Sequence, residues 1–84
     1  MFLHVTGISH IKAYTLRVEF NNGEVKKVDL SDELYGEVFE PLKELAVFKQ
    51  VAVNHETNTI EWPNGADFAP EFLYKIGTSV EQVA

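Results

Sequence analysis

Hydrophobic and polar residues alternate over seven positions in residues 14–20, YTLRVEF. This period of two is typical of a strand with one buried face. The turn Asn21-Asn22-Gly23 follows, and residues 24–30 predict the return strand. A three-residue loop with Gly23 in the left-handed conformation pairs Leu16 with Val28 and gives the hairpin one apolar face. A two-residue loop would spoil that face, so we predict the longer one.

A second hairpin is predicted from residues 51–54 and 59–62, joined by a four-residue loop. In this register Val53 faces Ile60 and both apolar pairs of the hairpin lie on one side. Residues 2–12 are apolar enough to continue the first strand, with a bend or bulge at their glycine. We expect the two hairpins to form one antiparallel sheet.

Two short helices are predicted between and after the hairpins. The first follows from apolar residues at three-residue spacing around Pro41, which suits the first turn of a helix; they are Phe39, Leu42, Leu45 and Phe48. The second covers residues 70–76 and is expected to end at Gly77 in the left-handed conformation. Neither helix is long enough to be stable without packing.

These elements predict an α+β fold, a small antiparallel sheet of two β-hairpins covered by two short helices. The 84 residues suffice for a single domain with one modest core. The compact part is expected to span about residues 2–77. Residues 78–84 are expected to fray as a tail or to begin a helix that this chain does not complete.

The amino-acid composition indicates the cellular compartment in which the protein is expected. The sequence contains no cysteine, which excludes disulfides, thiol nucleophiles and thiolate metal sites and makes a reducing cytoplasm the expected location. The N-terminus lacks the basic segment and apolar run of a signal peptide, and no later run approaches the ~20 apolar residues of a membrane span. We therefore expect no membrane association.

The charge is acidic and unevenly distributed. The formal net charge is −6, and residues 1–30 are nearly neutral, so the acidic excess lies in the rest of the chain. This field repels a phosphate backbone and disfavours direct nucleic-acid binding by this chain alone. It steers a basic protein partner towards the domain. The sequence does not decide between a monomer and a homo-oligomer.

The stretch WPNGADFAPEFLY at residues 62–74 combines the only Trp with a cluster of polar residues. Pro63-Asn64-Gly65 is typical of a type I turn, and Asp67 is placed to cap the first turn of the following helix. A structural corner is therefore our main interpretation. The alternative is a ligand site, since loops often carry function. Its candidate binding residues are Trp62, Asn64, Asp67, Glu71 and Tyr74.

The sequence offers weak signals for catalysis or metal binding. Asp67 and Glu71 are four residues apart and would share a helix face, the minimum for paired-carboxylate chemistry or a weak cation site. Like charges at that spacing usually mark a solvated helix start. His4, His10 and His55 lie in separate segments without zinc-type spacing. We predict no catalytic residue, no metal site and no cofactor.

Eight of the ten aromatic residues raise the question of a binding surface. Because a domain of this size needs large side chains to close its core, we predict that most of them are buried. They are Tyr14, Phe20, Tyr35, Phe39, Phe48, Phe68, Phe72 and Tyr74.

The segments YTLRVEFNNGEVKKVDL, EVFEPLKELAVFKQVAVN and TIEWPNGADFAPEFLY resemble domain of unknown function family 2442, small bacterial proteins. The resemblance covers residues 4–76 and is most specific in WPNGAD at 62–67. It implies a small α+β domain and brings no catalytic residues with it. Some members of the family append a helix-turn-helix domain, and others are encoded beside a second small protein in the manner of toxin-antitoxin pairs. With few residues after Gly77, this chain is not expected to carry its own DNA reader.

We hypothesise a non-enzymatic, acidic interaction domain that binds a basic protein encoded nearby, as an antitoxin-like or regulatory component of a two-protein system. One alternative is a small-ligand-binding or enzymatic domain that uses the loop of residues 62–67. Another is a regulatory domain that acts on DNA only through a partner. For the first hypothesis we expect contact on the helical side, around whichever of Tyr35 and Tyr74 is exposed. The acidic residues expected to surround it are Glu37, Glu40, Glu44 and Glu71.

Overall fold

The computed structural model describes residues 2–80. In this range the chain forms seven strands in two antiparallel sheets, with order β1-β2-β3-β7 in one and β4-β5-β6 in the other. The strands are β1 Val5–Lys12, β2 Thr15–Phe20, β3 Val25–Asp29, β4 Ala52–Asn54, β5 Thr59–Glu61, β6 Asp67–Phe68 and β7 Thr78–Ser79. The helices are a 3-10 helix at Glu40–Lys43, α1 at Leu45–Phe48 and α2 at Pro70–Ile76. The α+β class is confirmed.

The first hairpin has the predicted register. Leu16 pairs with Val28, and both side chains are fully buried. The loop holds three residues, closed by a 3.0 Å hydrogen bond from the Gly23 amide to the Phe20 carbonyl. Gly23 has a φ of 89°, the left-handed conformation that glycine adopts without strain.

The prediction that residues 2–12 continue the first strand was wrong. The chain reverses at Ala13, whose φ is 43°, and β1 returns antiparallel to β2 with Ile8 opposite Val18. This arrangement satisfies the free backbone groups along that edge of β2. The pairing shifts between Val5 and Gly7, which agrees with the expected irregularity at this glycine.

The second hairpin has the predicted pairing of Val53 with Ile60, but the expectation of one shared sheet was wrong. β1 covers one edge of the first hairpin and β7 covers the other. The second hairpin therefore cannot pair with β2 or β3 and lies against β1, where the Val5 amide donates to the Asn58 carbonyl at 2.9 Å. β5 pairs instead with β6, where Ile60 lies opposite Phe68.

The predicted first helix is broken into two turns. Glu44 separates the 3-10 helix from α1 with a ψ of 118°, an extended conformation that ends one turn before the next begins. The three-residue spacing of the apolar positions matches the three residues per turn of a 3-10 helix better than the 3.6 of an α-helix. Leu42 and Phe48 are buried, whereas Leu45 stays 36% exposed.

The second helix has the predicted bounds, but Gly77 ends it for another reason. Its φ is −72°, outside the left-handed region. A Cβ atom at this position would lie 2.9 Å from the Leu73 carbonyl oxygen and 3.1 Å from a methyl carbon of Val28. Glycine therefore permits a close approach between the end of α2 and β3.

Part of the predicted tail belongs to the fold. Thr78 and Ser79 form β7, and Thr78 pairs with Lys27 of β3. Residues 81–84 of that tail lie outside the described residues. Within residues 2–80, no helix has the length and apolar character needed to cross a membrane.

Both sheets and both α-helices contribute to one cluster of buried apolar side chains. Its largest member is Trp62, and the core therefore extends under the corner of residues 62–67. The buried apolar residues are Val5, Leu16, Val18, Phe20, Val28, Leu30, Leu34, Leu42, Phe48, Ile60, Trp62, Ala66 and Leu73.

Candidate functional site

Trp62, the first of the predicted binding residues, is a core residue. Its side chain is only 1% exposed, and its ring packs at 5.6 Å from the ring of Phe48 and 5.9 Å from that of Phe68. The indole Nε1 donates a 2.8 Å hydrogen bond to the Phe48 carbonyl. This bond joins the end of α1 to the strand that precedes the corner. Trp62 is thus out of reach of a ligand at the surface.

Asn64 lies at the centre of the predicted turn, which the structure contains. The Gly65 amide donates to the Trp62 carbonyl at 2.9 Å, and the Trp62 amide donates to the Ala66 carbonyl at 2.9 Å, so residues 63–65 form a three-residue hairpin loop between β5 and β6. The Asn64 Oδ1 atom accepts a 3.1 Å hydrogen bond from the Ala66 amide. The corner is therefore a hairpin in its own right.

The side-chain nitrogen of Asn64 contacts a segment that is distant in the sequence. Its Nδ2 atom donates a 2.9 Å hydrogen bond to the carbonyl of Val38. Val38 lies between the neighbouring aromatic residues Tyr35 and Phe39 in the loop before the 3-10 helix. Asn64 thereby fixes this loop against the β5–β6 hairpin.

The predicted helix-capping role of Asp67 and the predicted shared helix face of Asp67 and Glu71 were wrong. Asp67 lies in β6 opposite Glu61, and the N-cap residue of α2 is Ala69, whose side chain makes no capping bond. Because Asp67 belongs to a strand, it shares no helix face with Glu71. Both side chains are exposed, and the paired-carboxylate arrangement does not form.

Tyr74 connects α2 to the first hairpin. Its ring packs edge-on at 5.1 Å from the ring of Phe20, and its hydroxyl donates to the Glu24 carboxylate. The Lys26 ammonium lies 3.7 Å from the centre of the Tyr74 ring and donates to the Tyr74 carbonyl at 2.8 Å. Tyr74 is half-buried, so Tyr35, at 68% exposure, is the exposed one of the two tyrosines considered.

The five predicted binding residues therefore do not converge on one site. The structure instead brings four aromatic residues and one carboxylate together at the surface, around a cavity of about 230 Å³. We call this cavity the aromatic groove. It is lined by Glu33, Tyr35, Phe39, Phe68 and Phe72.

Three phenylalanines form one wall of the aromatic groove. The ring of Phe39 stacks on that of Phe68 with centres 4.7 Å apart, and Phe68 stacks on Phe72 at 5.4 Å. The interplanar angles are 27° and 17°, so the three rings form a nearly parallel column. They come from the loop before the 3-10 helix, from β6 and from α2, and each remains half-buried.

One carboxylate, that of Glu33, lines the aromatic groove, and none of the other four lining residues is charged. Four of its lining residues have an exposed acidic residue as an immediate neighbour in the chain; these neighbours are Asp32, Glu40, Asp67 and Glu71. The carboxylate of Glu40 lies 3.1 Å from the Lys43 ammonium. Glu33 forms no salt bridge within residues 2–80. The surroundings therefore favour a positively charged group.

A larger depression of about 430 Å³ lies over the β4–β5 hairpin. Two of its polar side chains are already engaged, since Asn54 accepts from the Glu56 amide at 2.9 Å and donates to Glu61 at 2.8 Å. Ala52 and Val53 line it beside these polar residues. Among residues 2–80, no group of three or more His, Asp or Glu side chains is placed to hold a metal ion.

Sequence reasoning placed the four groove aromatics among residues expected mostly in the core, and only Tyr35 was considered for a contact surface. Among the eight aromatic residues considered for a binding surface, only Phe20 and Phe48 are buried. The pairs Phe39-Glu40, Asp67-Phe68 and Glu71-Phe72 do not mark these residues as one surface, because apolar and charged residues also adjoin in ordinary amphipathic elements.

The sequence model of one protein family, described as "Protein of unknown function (DUF2442)", matches residues 5–79. No curated protein and no solved structure matches the chain. The matched range begins with β1 and ends with β7, so the aromatic groove lies wholly inside the domain that defines the family.

Proposed function

The chain belongs to the DUF2442 family of proteins of unknown function, and from the geometry of its surface we propose that it is a non-enzymatic interaction domain. It binds a basic protein partner through the aromatic groove. The observation that carries this proposal is the exposure of Tyr35, 68%, beside a column of half-buried phenylalanines and the carboxylate of Glu33.

This arrangement supports protein binding for two physical reasons. Aromatic side chains bury a large area at little cost in conformational entropy, and they dominate the energy of many interfaces. Charged residues at the rim contribute mainly to the rate of encounter and to the choice of partner. With a net charge of −6, the domain attracts a partner whose contacting face is basic.

The biological setting belongs to the same proposal. A small acidic domain that binds a basic protein encoded nearby acts as the antitoxin-like or regulatory component of a two-protein system. The cysteine-free sequence supports a cytoplasmic setting. The alternative of a ligand or catalytic site in residues 62–67 loses its principal contact, because Trp62 is buried and Asn64 is engaged at both ends of its amide.

The test is isolation of the partner followed by association kinetics. The full chain is used to capture proteins from its host, and the captured protein is purified and mixed with the chain at ionic strengths from about 0.05 to 0.5 M. We expect a basic partner whose association slows much more than its dissociation accelerates. An acidic partner, or an association rate indifferent to salt, would contradict the proposal.

A further inference from the structure

Resting on the proposed function, we infer that the aromatic groove is a subsite for one arginine side chain of the partner. Its methylene stem packs against the phenylalanine column, and its guanidinium stacks on Tyr35 and donates hydrogen bonds to the Glu33 carboxylate. All of the groups that this requires line one cavity of about 230 Å³.

The phenylalanine column suits an apolar stem better than a charged head. In an aromatic ring the face is negative and the edge positive, so a cation gains most from contact with a free face. Two contacts of the column are made by stacked faces, between Phe39 and Phe68 and between Phe68 and Phe72. The side of such a column is an apolar wall, against which a stem of methylene groups packs well.

Tyr35 and Glu33 supply the contacts for the charged head. Tyr35 is 68% exposed, which leaves its ring open to stacking. Glu33 is the only charged residue that lines the groove, is half-buried, and has no salt-bridge partner within residues 2–80. A carboxylate beside an aromatic ring gives a guanidinium both a hydrogen-bond acceptor and a surface for stacking.

Arginine fits these groups better than the other candidate occupants. Lysine carries a compact, strongly hydrated ammonium that neither stacks nor forms two parallel hydrogen bonds to a carboxylate. A leucine or phenylalanine from the partner would cover the column, but it would also remove water from Glu33 without a replacement partner, which is unfavourable for a carboxylate.

The experiment uses the full chain, labelled with ¹⁵N, and four capped amino acids as probes: N-acetyl-arginine amide and the corresponding lysine, citrulline and leucine compounds. We expect the arginine probe to shift the amide signals of the groove residues and to bind about threefold or more tighter than the lysine probe. Citrulline keeps the shape of arginine without its charge and is expected to bind least among the polar probes. Equal binding of citrulline, or tighter binding of leucine, would overturn the arginine assignment.

Two matched variants test whether the carboxylate that binds the arginine probe is that of Glu33. Glu33→Gln and Glu37→Gln remove the same charge, but Glu37 does not line the groove. We expect Glu33→Gln to weaken the arginine probe about threefold and Glu37→Gln to leave it nearly unchanged. Equal weakening by both would reduce the effect to long-range charge and overturn the subsite.

The experiments distinguish a failure of the arginine subsite from a failure of the proposed function. If the partner's affinity depends on Tyr35 while the arginine probe fails to bind, the arginine subsite is wrong and the interaction surface stands. If the arginine probe binds at the groove while the captured partner is acidic, the subsite stands and the proposed function is wrong.

Discussion

Asn22 and Asn64 occupy the same position in two three-residue hairpin loops that end in glycine. In each loop the side-chain oxygen accepts a hydrogen bond from the backbone amide two residues ahead, at 3.0 Å for Asn22 and 3.1 Å for Asn64. The amide nitrogens differ: that of Asn64 donates to the Val38 carbonyl at 2.9 Å, whereas that of Asn22 has only a 3.5 Å contact with the Tyr74 hydroxyl. Two similar loops therefore differ in what they hold in place.

We predict that Asn64→Asp destabilises the fold by about 1 kcal/mol more than Asn22→Asp. Aspartate keeps the oxygen that accepts within the loop, but at position 64 it loses the donor and places a carboxylate against the Val38 carbonyl. Chemical denaturation of both variants measures the difference in the free energy of unfolding. Equal values would mean that the bond between Asn64 and Val38 contributes nothing to stability.

Because Asp67 lies in β6 and does not cap α2, its replacement is expected to cost less stability than its sequence context suggests. A helix cap there would make Asp67→Ala cost about 1 kcal/mol. Because Asp67 is exposed in β6 and makes no capping bond, we expect the free energy of unfolding to change by less than about 0.5 kcal/mol. A loss near the larger value, measured by the same denaturation experiment, would restore the capping role.

At the scale of secondary-structure elements, the clearest constraint is the approach of α2 to β3 at Gly77. A Cβ atom there would lie 3.0 Å from the Lys26 Cβ and 2.9 Å from the Leu73 carbonyl oxygen, and neither atom is at the end of a flexible side chain. We therefore predict that Gly77→Ala lowers stability by about 1–3 kcal/mol, although its backbone angles are open to alanine. A thermal melt unchanged from wild type would show that α2 shifts freely on the sheet.

The end of β3 provides a prediction about acid stability. Asp29 accepts a 2.9 Å hydrogen bond from the Ser31 amide, and this bond, with a second from the Ser31 side chain and the charge of Lys12, holds the pKa of Asp29 below its usual 3.8. A lowered pKa in the folded state adds stability above the usual pKa, and this stability is lost as pH falls through the lowered value.

The variant Asp29→Asn isolates this contribution. We expect wild type to melt at a higher temperature than Asp29→Asn at neutral pH, with the difference shrinking as the pH falls below about 4. Melting temperatures measured across that range check the sign. A difference that stays constant with pH would mean that the charge of Asp29 does not matter.

The elements that could be predicted from the sequence are those with a repeating pattern or a defined turn. Alternation in β2 together with Gly23 determined the register of the first hairpin, and Pro70 with Gly77 marked the bounds of α2. β6 and β7 have two residues each, too few to show a period, and their pairing depends on long-range contacts. Missing them led to the wrong prediction of one sheet, since β7 occupies an edge that looked free.

At the scale of the whole molecule, the predicted site residues were individually conspicuous but did not lie together. Trp62 was conspicuous because it is the only Trp of the sequence, but its large ring is buried in the core. The aromatic groove combines Phe39 with Phe68 and Phe72, about 30 residues further along the chain. No local pattern indicates such a contact, so the groove forms only when the loop before the 3-10 helix packs against β6 and α2, whereas the acidic net charge of the chain follows from composition alone.

The most direct measurement of the central claim compares the affinity of the purified partner for wild type, Tyr35→Ala and Val38→Ala. Both residues are exposed apolar positions of the same loop, at 68% and 48%, but only Tyr35 lines the aromatic groove. We predict that Tyr35→Ala weakens binding about tenfold or more, as expected for a residue at the centre of an interface, and that Val38→Ala changes it less than about threefold. Wild-type affinity in Tyr35→Ala, with its fold intact, would contradict the account.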